Sequence, residues 1–314
     1  MVLLVGFVLA VITAPTALTF EDNTTASYDK EGVFTINWTA GGSDEVNYTV
    51  YIYADDILYT SVVNDSATGR SFSNTTDANY TFTIEAVNST GNKLNSTNIS
   101  MIVDTTTPAL IYSSIGTESN AASKSQSWIF VNVTSSDTNN DTLVFNLYYS
   151  NGTLVNSTSY SSYSPTQINW TSLAEAGYIY NVTANDSATN SNSTSSRTIT
   201  LDTTDPTVTL SKSSLTSYSL TIIISGGGTC TVNRDGASIS GSTLKEPGLS
   251  CGTSYSYVVT CTDSAGNSGS SSSTSFSTEG CSGGETPSAP EWEEKKISFI
   301  LKNNSRCCFN SKKL

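Results

Sequence analysis

The pentapeptide Asp-Thr-Thr-Thr-Pro begins at Asp104, and Asp-Thr-Thr-Asp-Pro begins at Asp202, 98 residues further on. The closing proline holds the residue before it extended and cannot donate to a central ladder, so each pentapeptide reads as a stiff linker. An alternating run precedes each one, "STNISMIVD" and "SSRTITLD". Upstream lie two related stretches, "NYTFTIEAVNSTGN" and "IYNVTANDSATN". A third copy, "SYVVTCTDSAGN" at 256–267, leads into "SSTSFSTEG" with no such linker. Three copies of one strand–turn–strand unit predict three domains in tandem. A period this long describes whole domains on a string, not a stacked solenoid.

Within each unit the apolar period is 2. Phe34, Ile36 and Trp38 share a face, as do Tyr48, Val50 and Ile52, and Tyr80, Phe82 and Ile84. Turn signals separate the runs, among them "SNGT" at 150–153, suited to a tight hairpin at Asn151-Gly152, and "NRDG" at 233–236. No window of 12 or more has helical spacing. The expected fold is all-β: three tandem immunoglobulin-like or fibronectin type III-like β-sandwiches after a signal-like N-terminal segment. The expected boundaries are 1–19 for that segment, 20–104, 105–202 and 203–281 for the sandwiches, and 282–314 for a disordered tail.

The stretches "FTINWT", "NYTVYIYADD" and "NYTFTIEAVNSTGN" carry a resemblance to a fibronectin type III domain over about residues 20–104. Trp38 falls where that family keeps a core tryptophan, and Tyr80 where it keeps a tyrosine opening the sixth strand. Residues 105–202 and 203–281 resemble the immunoglobulin-like repeats of archaeal and bacterial surface proteins. The resemblance implies a fold and a surface location, not an activity. The third unit departs from antibody-type domains: it has no tryptophan, and its cysteines lie on different strands.

The N-terminal "MVLLVGFVLAVITAPTALTF" has an apolar run from Val2 to Ala14. That length suits a secretory signal better than a membrane span of about 20 residues, so the chain is expected to be secreted or on the cell surface. An uncleaved anchor would be its only tie to a membrane. Asparagine then needs explaining, because it is depleted in strands. "INWT" appears at 36–39 and again at 168–171, and Asn-X-Ser/Thr is an acceptor for N-glycosylation. In a strand, Asn and Thr of a sequon share one side while the middle residue points to the other. Six strand-borne sequons have Trp38, Tyr48, Tyr80, Val133, Trp170 and Val182 in the middle, each fit for a core. Residues 21–194 hold 22 asparagines, and 17 begin a sequon. Composition alone gives about 7. The expected acceptors are Asn23, Asn37, Asn47, Asn64, Asn74, Asn79, Asn88, Asn95, Asn98, Asn132, Asn140, Asn151, Asn156, Asn169, Asn181, Asn185 and Asn192. From 195 to 302 only Asn233 and Asn267 occur, and neither opens a sequon.

The third unit has cysteines instead: Cys230, Cys251, Cys261 and Cys281. In an exported chain they read as disulfides, and four cysteines allow three pairings. Cys230 shares a face with Val232, and Cys261 with Tyr255, Tyr257 and Val259, which favours Cys230–Cys261 and leaves Cys251–Cys281. The rival four-thiolate zinc site lacks any CxxC spacing. The tail carries 6 of the 14 Lys and Arg residues and the pair Cys307-Cys308.

The chain has no histidine and a net charge of −13. The first removes Ser-His-Asp and Cys-His machinery, and the second leaves no basic stripe for nucleic acid. "SSDTNND" spaces Asp137, Asn139 and Asp141 like the start of a calcium loop, but Thr142 and Tyr148 stand where Gly and Glu are required. Asp186 and Asp263, each four before an Asn, are expected to bond their own turns. Calcium at the linkers through Asp104, Asp202 or Asp205 is the weaker reading, against solvated linker carboxylates. In "SWIFVNVT" the spacing favours a central strand covered on both faces over an outward Trp128–Phe130 pair. Two function classes remain. One is a non-catalytic structural or adhesion protein of the cell surface, partnered by other envelope proteins or glycans. The other is a carbohydrate-binding or spacer portion of a secreted carbohydrate-active enzyme.

Overall fold

The computed structural model describes residues 12–21, 27–42, 45–63, 67–234, 237–240 and 242–281, and every regular element among them is a strand. The first sandwich contains β1 (Thr16–Glu21), β2 (Tyr28–Asp29), β3 (Val33–Thr39), β4 (Glu45–Ala54), β5 (Ile57–Val63), β6 (Gly69–Ser73), β7 (Ala78–Asn88), β8 (Lys93–Asn95) and β9 (Ile99–Val103). One sheet runs β1-β3-β6; the facing sheet runs β2-β9-β7-β4-β5, with β8 on β7. The second sandwich repeats this order with β10 (Ala109–Tyr112), β11 (Ala122–Lys124), β12 (Ile129–Ser136), β13 (Asn140–Tyr149), β14 (Leu154–Ser161), β15 (Gln167–Trp170), β16 (Ala176–Asp186), β17 (Ser191–Ser193) and β18 (Arg197–Leu201). Its sheets are β10-β12-β15 and β11-β18-β16-β13-β14, with β17 on β16. In the third are β19 (Thr209–Leu215), β20 (Ser219–Ser225), β21 (Thr229–Arg234), β22 (Ala237–Ser240), β23 (Thr243–Pro247), β24 (Ser254–Thr262), β25 (Ser268–Ser270) and β26 (Thr274–Ser277). They form β19-β20-β23 and β22-β21-β24-β25, with β26 on β24. The chain separates into two compact units, 1–204 and 205–314, the first holding two cores and the second one.

Alternation sets the cores. Phe34, Ile36, Trp38, Tyr48, Val50, Ile52, Tyr80, Phe82 and Ile84 are all buried, as a period of 2 demands when one sheet face is wet. The Asn151-Gly152 hairpin forms between β13 and β14, with Gly152 at φ 87° and its N–H donating to the Tyr149 carbonyl. Residues 235–236 of "NRDG" lie outside the described residues.

The recurrent strand–turn–strand unit closes in the same way three times. Asn88, Asp186 and Asp263 each accept the backbone N–H four residues on, at 2.8, 2.8 and 3.0 Å, from Asn92, Asn190 and Asn267. A hydroxyl then takes over the returning strand: Ser96, Thr194 and Ser271 each accept a backbone N–H from Ile84, Val182 and Val259 at 3.0 Å. The side chains replace backbone pairing where the ladder breaks.

The leader reading needs correcting at its C-terminal edge. Residues 1–11 lie outside the described residues, but Thr16–Glu21 is strand β1 on β3, with Phe20 opposite Ile36. Leu18 and Phe20 pack on the first core, so residues 16–19 belong to the sandwich. The tail 282–314, with Cys307 and Cys308, also lies outside the described residues.

Candidate functional sites

The middle residues of the six sequons singled out by alternation are buried: Trp38, Tyr48, Tyr80, Val133, Trp170 and Val182 are at most 7% exposed, whereas Asp141 and Ser157, in the middle of the Asn140 and Asn156 sequons on β13 and β14, are exposed. Asn79 and Asn169 stand exposed on the opposite side, and Asn37, Asn47, Asn132 and Asn181 are half-buried there. Among the other sequons, Asn95, Asn98, Asn140, Asn151 and Asn156 are exposed, and Asn74, Asn185 and Asn192 half-buried. Asn23 and Asn64 lie outside the described residues. Asn88 is different, being 3% exposed. Its Oδ1 accepts the N–H of Thr90, the Thr90 hydroxyl and the N–H of Asn92, so it holds the turn that aspartate holds in the other two sandwiches. Asn88 is thus the one expected acceptor among the described residues that is buried.

The two "INWT" copies occupy different places. Asn37 lies on β3, the middle strand of its sheet, where its Nδ2 donates to Glu21 at 3.3 Å. Asn169 lies on the edge strand β15, directly opposite Phe130 of β12. Here the structure overturns the expectation of a strand covered on both faces. Ile129, Val131 and Val133 enter the core, Trp128 is 39% exposed, and Phe130 lies half-buried on the outer face. Trp128 and Phe130 share their face with Asn132 and Thr134, the polar positions of a sequon, so the alternation already pointed this face toward water.

A second constellation is acidic. Asp104, Asp137 and Asp186 each bring a carboxylate oxygen within 4.8 Å of the others'. Asp104 and Asp186 are buried, so the picture of a solvated linker carboxylate fails for Asp104. Asn139 Nδ2 donates to Asp104 Oδ2 at 2.7 Å, and Asn190 Nδ2 donates both to Asp186 Oδ2 and to the Asp104 carbonyl at 2.8 Å. The Asn139 N–H donates to Asp137 Oδ1 at 2.7 Å. Burial raises the Asp137 carboxyl above its ordinary value against that bond, and the charges of Asp104, Asp186 and Asp77 raise it further. Burial likewise raises Asp186 against the bonds from Asn190, with Asp104 adding to the rise. The ion pairs among the described residues involve none of the three. Hard oxygen donors of this kind suit a divalent cation such as calcium, but here neutral amides satisfy them. The three linker aspartates weighed as calcium ligands have different surroundings. Asp104 meets Asp137 and Asp186, while Asp202 caps its own linker through Thr204 at 3.1 Å and Asp205 is exposed. A cavity of about 550 Å³ opens beside the cluster, lined by Asp55, Asp77, Asn79, Asp104, Asp137 and Asn139 among others.

The linkers owe their sequence to one device. Asp77 accepts the Thr105 N–H and hydroxyl at 2.8 and 2.9 Å and the Thr106 hydroxyl. Glu175, 28 residues before Thr203, does the same in the second linker, taking the Thr203 N–H at 2.8 Å and the hydroxyls of Thr203 and Thr204. Burial raises the Asp77 carboxyl, but the bonds from Thr106 and Thr105 outweigh it and leave the group below its ordinary value. The bonds from Thr203 and Thr204 lower Glu175. Asp263 bonds its own turn, accepting the N–H groups of Ala265, Gly266 and Asn267, and the bond from the Asn267 side chain, the largest cause, lowers its carboxyl.

In the third sandwich Cys230 is bonded to Cys261 and Cys251 to Cys281. The first pair joins directly opposed residues of β21 and β24; the second ties the turn after β23 to the exit of β26.

No protein-family model matches the chain, and no curated protein matches it. Among solved structures, the chain is similar to the FN1–FN3 domains of chicken CNTN1. There the identity is 13%, the match covers 85% of this chain and 98% of that one, and the TM-score is 0.32. It is also similar to fibronectin(III)-like modules of Clostridium thermocellum CbhA, at 18% identity, 59% and 94% coverage, and a TM-score of 0.33. At these scores the fold assignment rests on the strand order: three sandwiches of fibronectin type III-like topology.

Proposed function

We propose that this chain is a non-catalytic protein of the cell exterior, a structural or adhesive string of β-sandwiches. The first two carry N-linked sugars, and the third is held by disulfides. One observation carries the reading: six sequons, three in each of the first two sandwiches, combine a buried middle residue with an outward or half-exposed asparagine. A strand pleat puts Asn and Thr together on the wet face, where a sugar costs no packing. The paired cysteines fit an oxidising compartment. The partners of such a string are other envelope proteins or glycans.

Intact mass of the protein secreted by its native host, before and after deglycosylation, tests this. We expect a loss of several glycan masses, confined to peptides from residues 21–194 and excluding the one with Asn88. An unchanged mass sinks the reading. Fractionation of the envelope and the medium locates the chain, and recovery from the cytosol alone would also overturn it.

A further inference from the structure

The outer face of the β10-β12-β15 sheet carries a feature that glycosylation alone does not account for. Phe130 of β12 and Trp128, just before that strand, line one groove there, and Phe130 stands directly across from Asn169. Opposed residues in an antiparallel pair share a face, with Cβ atoms about 4.5–5.5 Å apart. The Phe130 ring lies under Gly116, where a Cβ would come within 2.7 Å of its Cε1, so backbone fixes the ring from one side. Gly116, Trp128, Phe130, Asn169 and Thr171 line a shallow groove of about 340 Å³.

We infer that this aromatic shelf seats the innermost sugar of the glycan on Asn169. The inference rests on the glycosylation proposed above and adds what that reading leaves open, the occupant of the groove. Three observations point to the chain's own sugar. The groove is bounded by the sequon itself, with both Asn169 and Thr171 in its wall. Asn169 is exposed on an edge strand, whereas Asn37 in the matching tetrapeptide bonds Glu21. A pyranose presents a face of C–H bonds, which suits the electron-rich face of Trp and Phe, while its hydroxyls stay in water. Tethering at Asn169 supplies a high effective concentration, so a contact too weak to hold a free sugar is well populated. It also covers an aromatic patch that would otherwise invite association.

The test uses the full chain secreted by a eukaryotic host that links N-acetylglucosamine to asparagine, with its glycans trimmed to that first sugar. Glycopeptide mass spectrometry reads occupancy at each sequon. Nuclear magnetic resonance and hydrogen exchange then compare this protein with Asn169→Gln and with the outward-facing double variant Trp128→Thr, Phe130→Thr. We expect the sugar C–H signals at Asn169 to shift upfield over the rings and to return to ordinary positions in the double variant. The amides of 128–131 should exchange roughly 2- to 10-fold more slowly with the sugar present, and only when both aromatics are there. An occupied Asn169 with ordinary sugar shifts and equal exchange overturns the inference and leaves the glycosylation reading standing. An unoccupied Asn169 beside other occupied sequons overturns it at its premise, and bare sequons throughout overturn both. Binding of free chitotriose to the Asn169→Gln chain through Trp128 would assign the shelf to a ligand in trans and also overturn it.

Discussion

In the first sandwich Tyr48 of β4 stands directly across from Ala86 of β7, and in the second Leu143 of β13 stands across from Ala184 of β16. In the third the corresponding pair is Cys230 of β21 and Cys261 of β24. All six residues are buried. The alignment is fixed by the shared turn, since Ala86, Ala184 and Cys261 each lie two before Asn88, Asp186 and Asp263. One fold thus fills one position by volume twice and by a covalent bond once. The rest of each core follows suit. The first buries Phe34, Trp38, Tyr48, Phe72, Tyr80 and Phe82, while Tyr257 is the single aromatic among the buried core residues of the third. Where apolar volume is short, cross-links that restrict the unfolded chain make up the difference.

The largest test of this contrast is reduction. The bridges close loops with sequence separations of 31 and 30, for which chain entropy gives about 3–4 kcal/mol each. Losing both removes much of a domain's usual margin of about 5–15 kcal/mol. Hydrogen exchange of β20, β21 and β24 should rise to near the unfolded rate, while β3, β7, β13 and β16 keep their protection. Equal protection of the third sandwich in both redox states would break the comparison.

Next in size is a core truncation. Phe82 is fully buried, with its ring centroid 5.8, 5.7 and 5.4 Å from those of Phe20, Phe34 and Phe72. Phe82→Ala should cost about 3–5 kcal/mol, read as a lower urea midpoint for the first sandwich with the third unchanged. A cost below about 1 kcal/mol would mean that aromatic volume is not what holds it.

The comparison can also be sharpened by exchange. Cys230→Leu with Cys261→Ala rebuilds the Leu143–Ala184 pair in the third sandwich. It should lose about 2–4 kcal/mol, the value of one bridge, and still fold. Serine at both positions should be worse, because it leaves hydroxyls in a dry core. If Leu/Ala matches the bridged protein in thermal stability, volume and cross-link are interchangeable here.

How much of this was legible in the sequence varies with range. Alternation and the repeated turn are local, so the core faces of β3, β4 and β7 and the three sandwiches could be read directly. The outward Trp128–Phe130 pair was legible too, because Asn132 and Thr134 continue its face, but two aromatics at its start made that face read as covered. The strand Thr16–Glu21 was hidden by the apolar run before it, although Leu18 and Phe20 already alternate there. Asn88 carries a sequon, yet its alignment with Asp186 and Asp263 was the available sign of a turn role. The acidic cluster is the least legible, because Asp104, Asp137 and Asp186 come from three separate segments and meet only once two sheets have packed.

That cluster yields the smallest expected effect, and one of opposite sign. Burial first, then Asp104, Asp186 and Asp77, raise the Asp137 carboxyl, so the folded state holds its proton at a pH where the unfolded chain has released it. The stability this group contributes is complete below the ordinary value of 3.8 and is lost as the pH rises through the raised one. At pH 7 the wild type therefore bears a partly desolvated charge on Asp137 and its repulsion by Asp104, Asp186 and Asp77. Asp137→Asn keeps an oxygen to accept the Asn139 N–H and removes the charge. It should stabilise the first unit at pH 7, with the gain fading toward pH 3. Asp77→Asn supplies the contrary case. The Asp77 carboxyl lies below its ordinary value, so its stability is present above 3.8 and lost on acidification, and the variant should be weaker at pH 7. Urea midpoints of both variants from pH 3 to 7 decide. An Asp137→Asn protein that is less stable at neutral pH would show that the three carboxylates are held by something stronger than their amide partners.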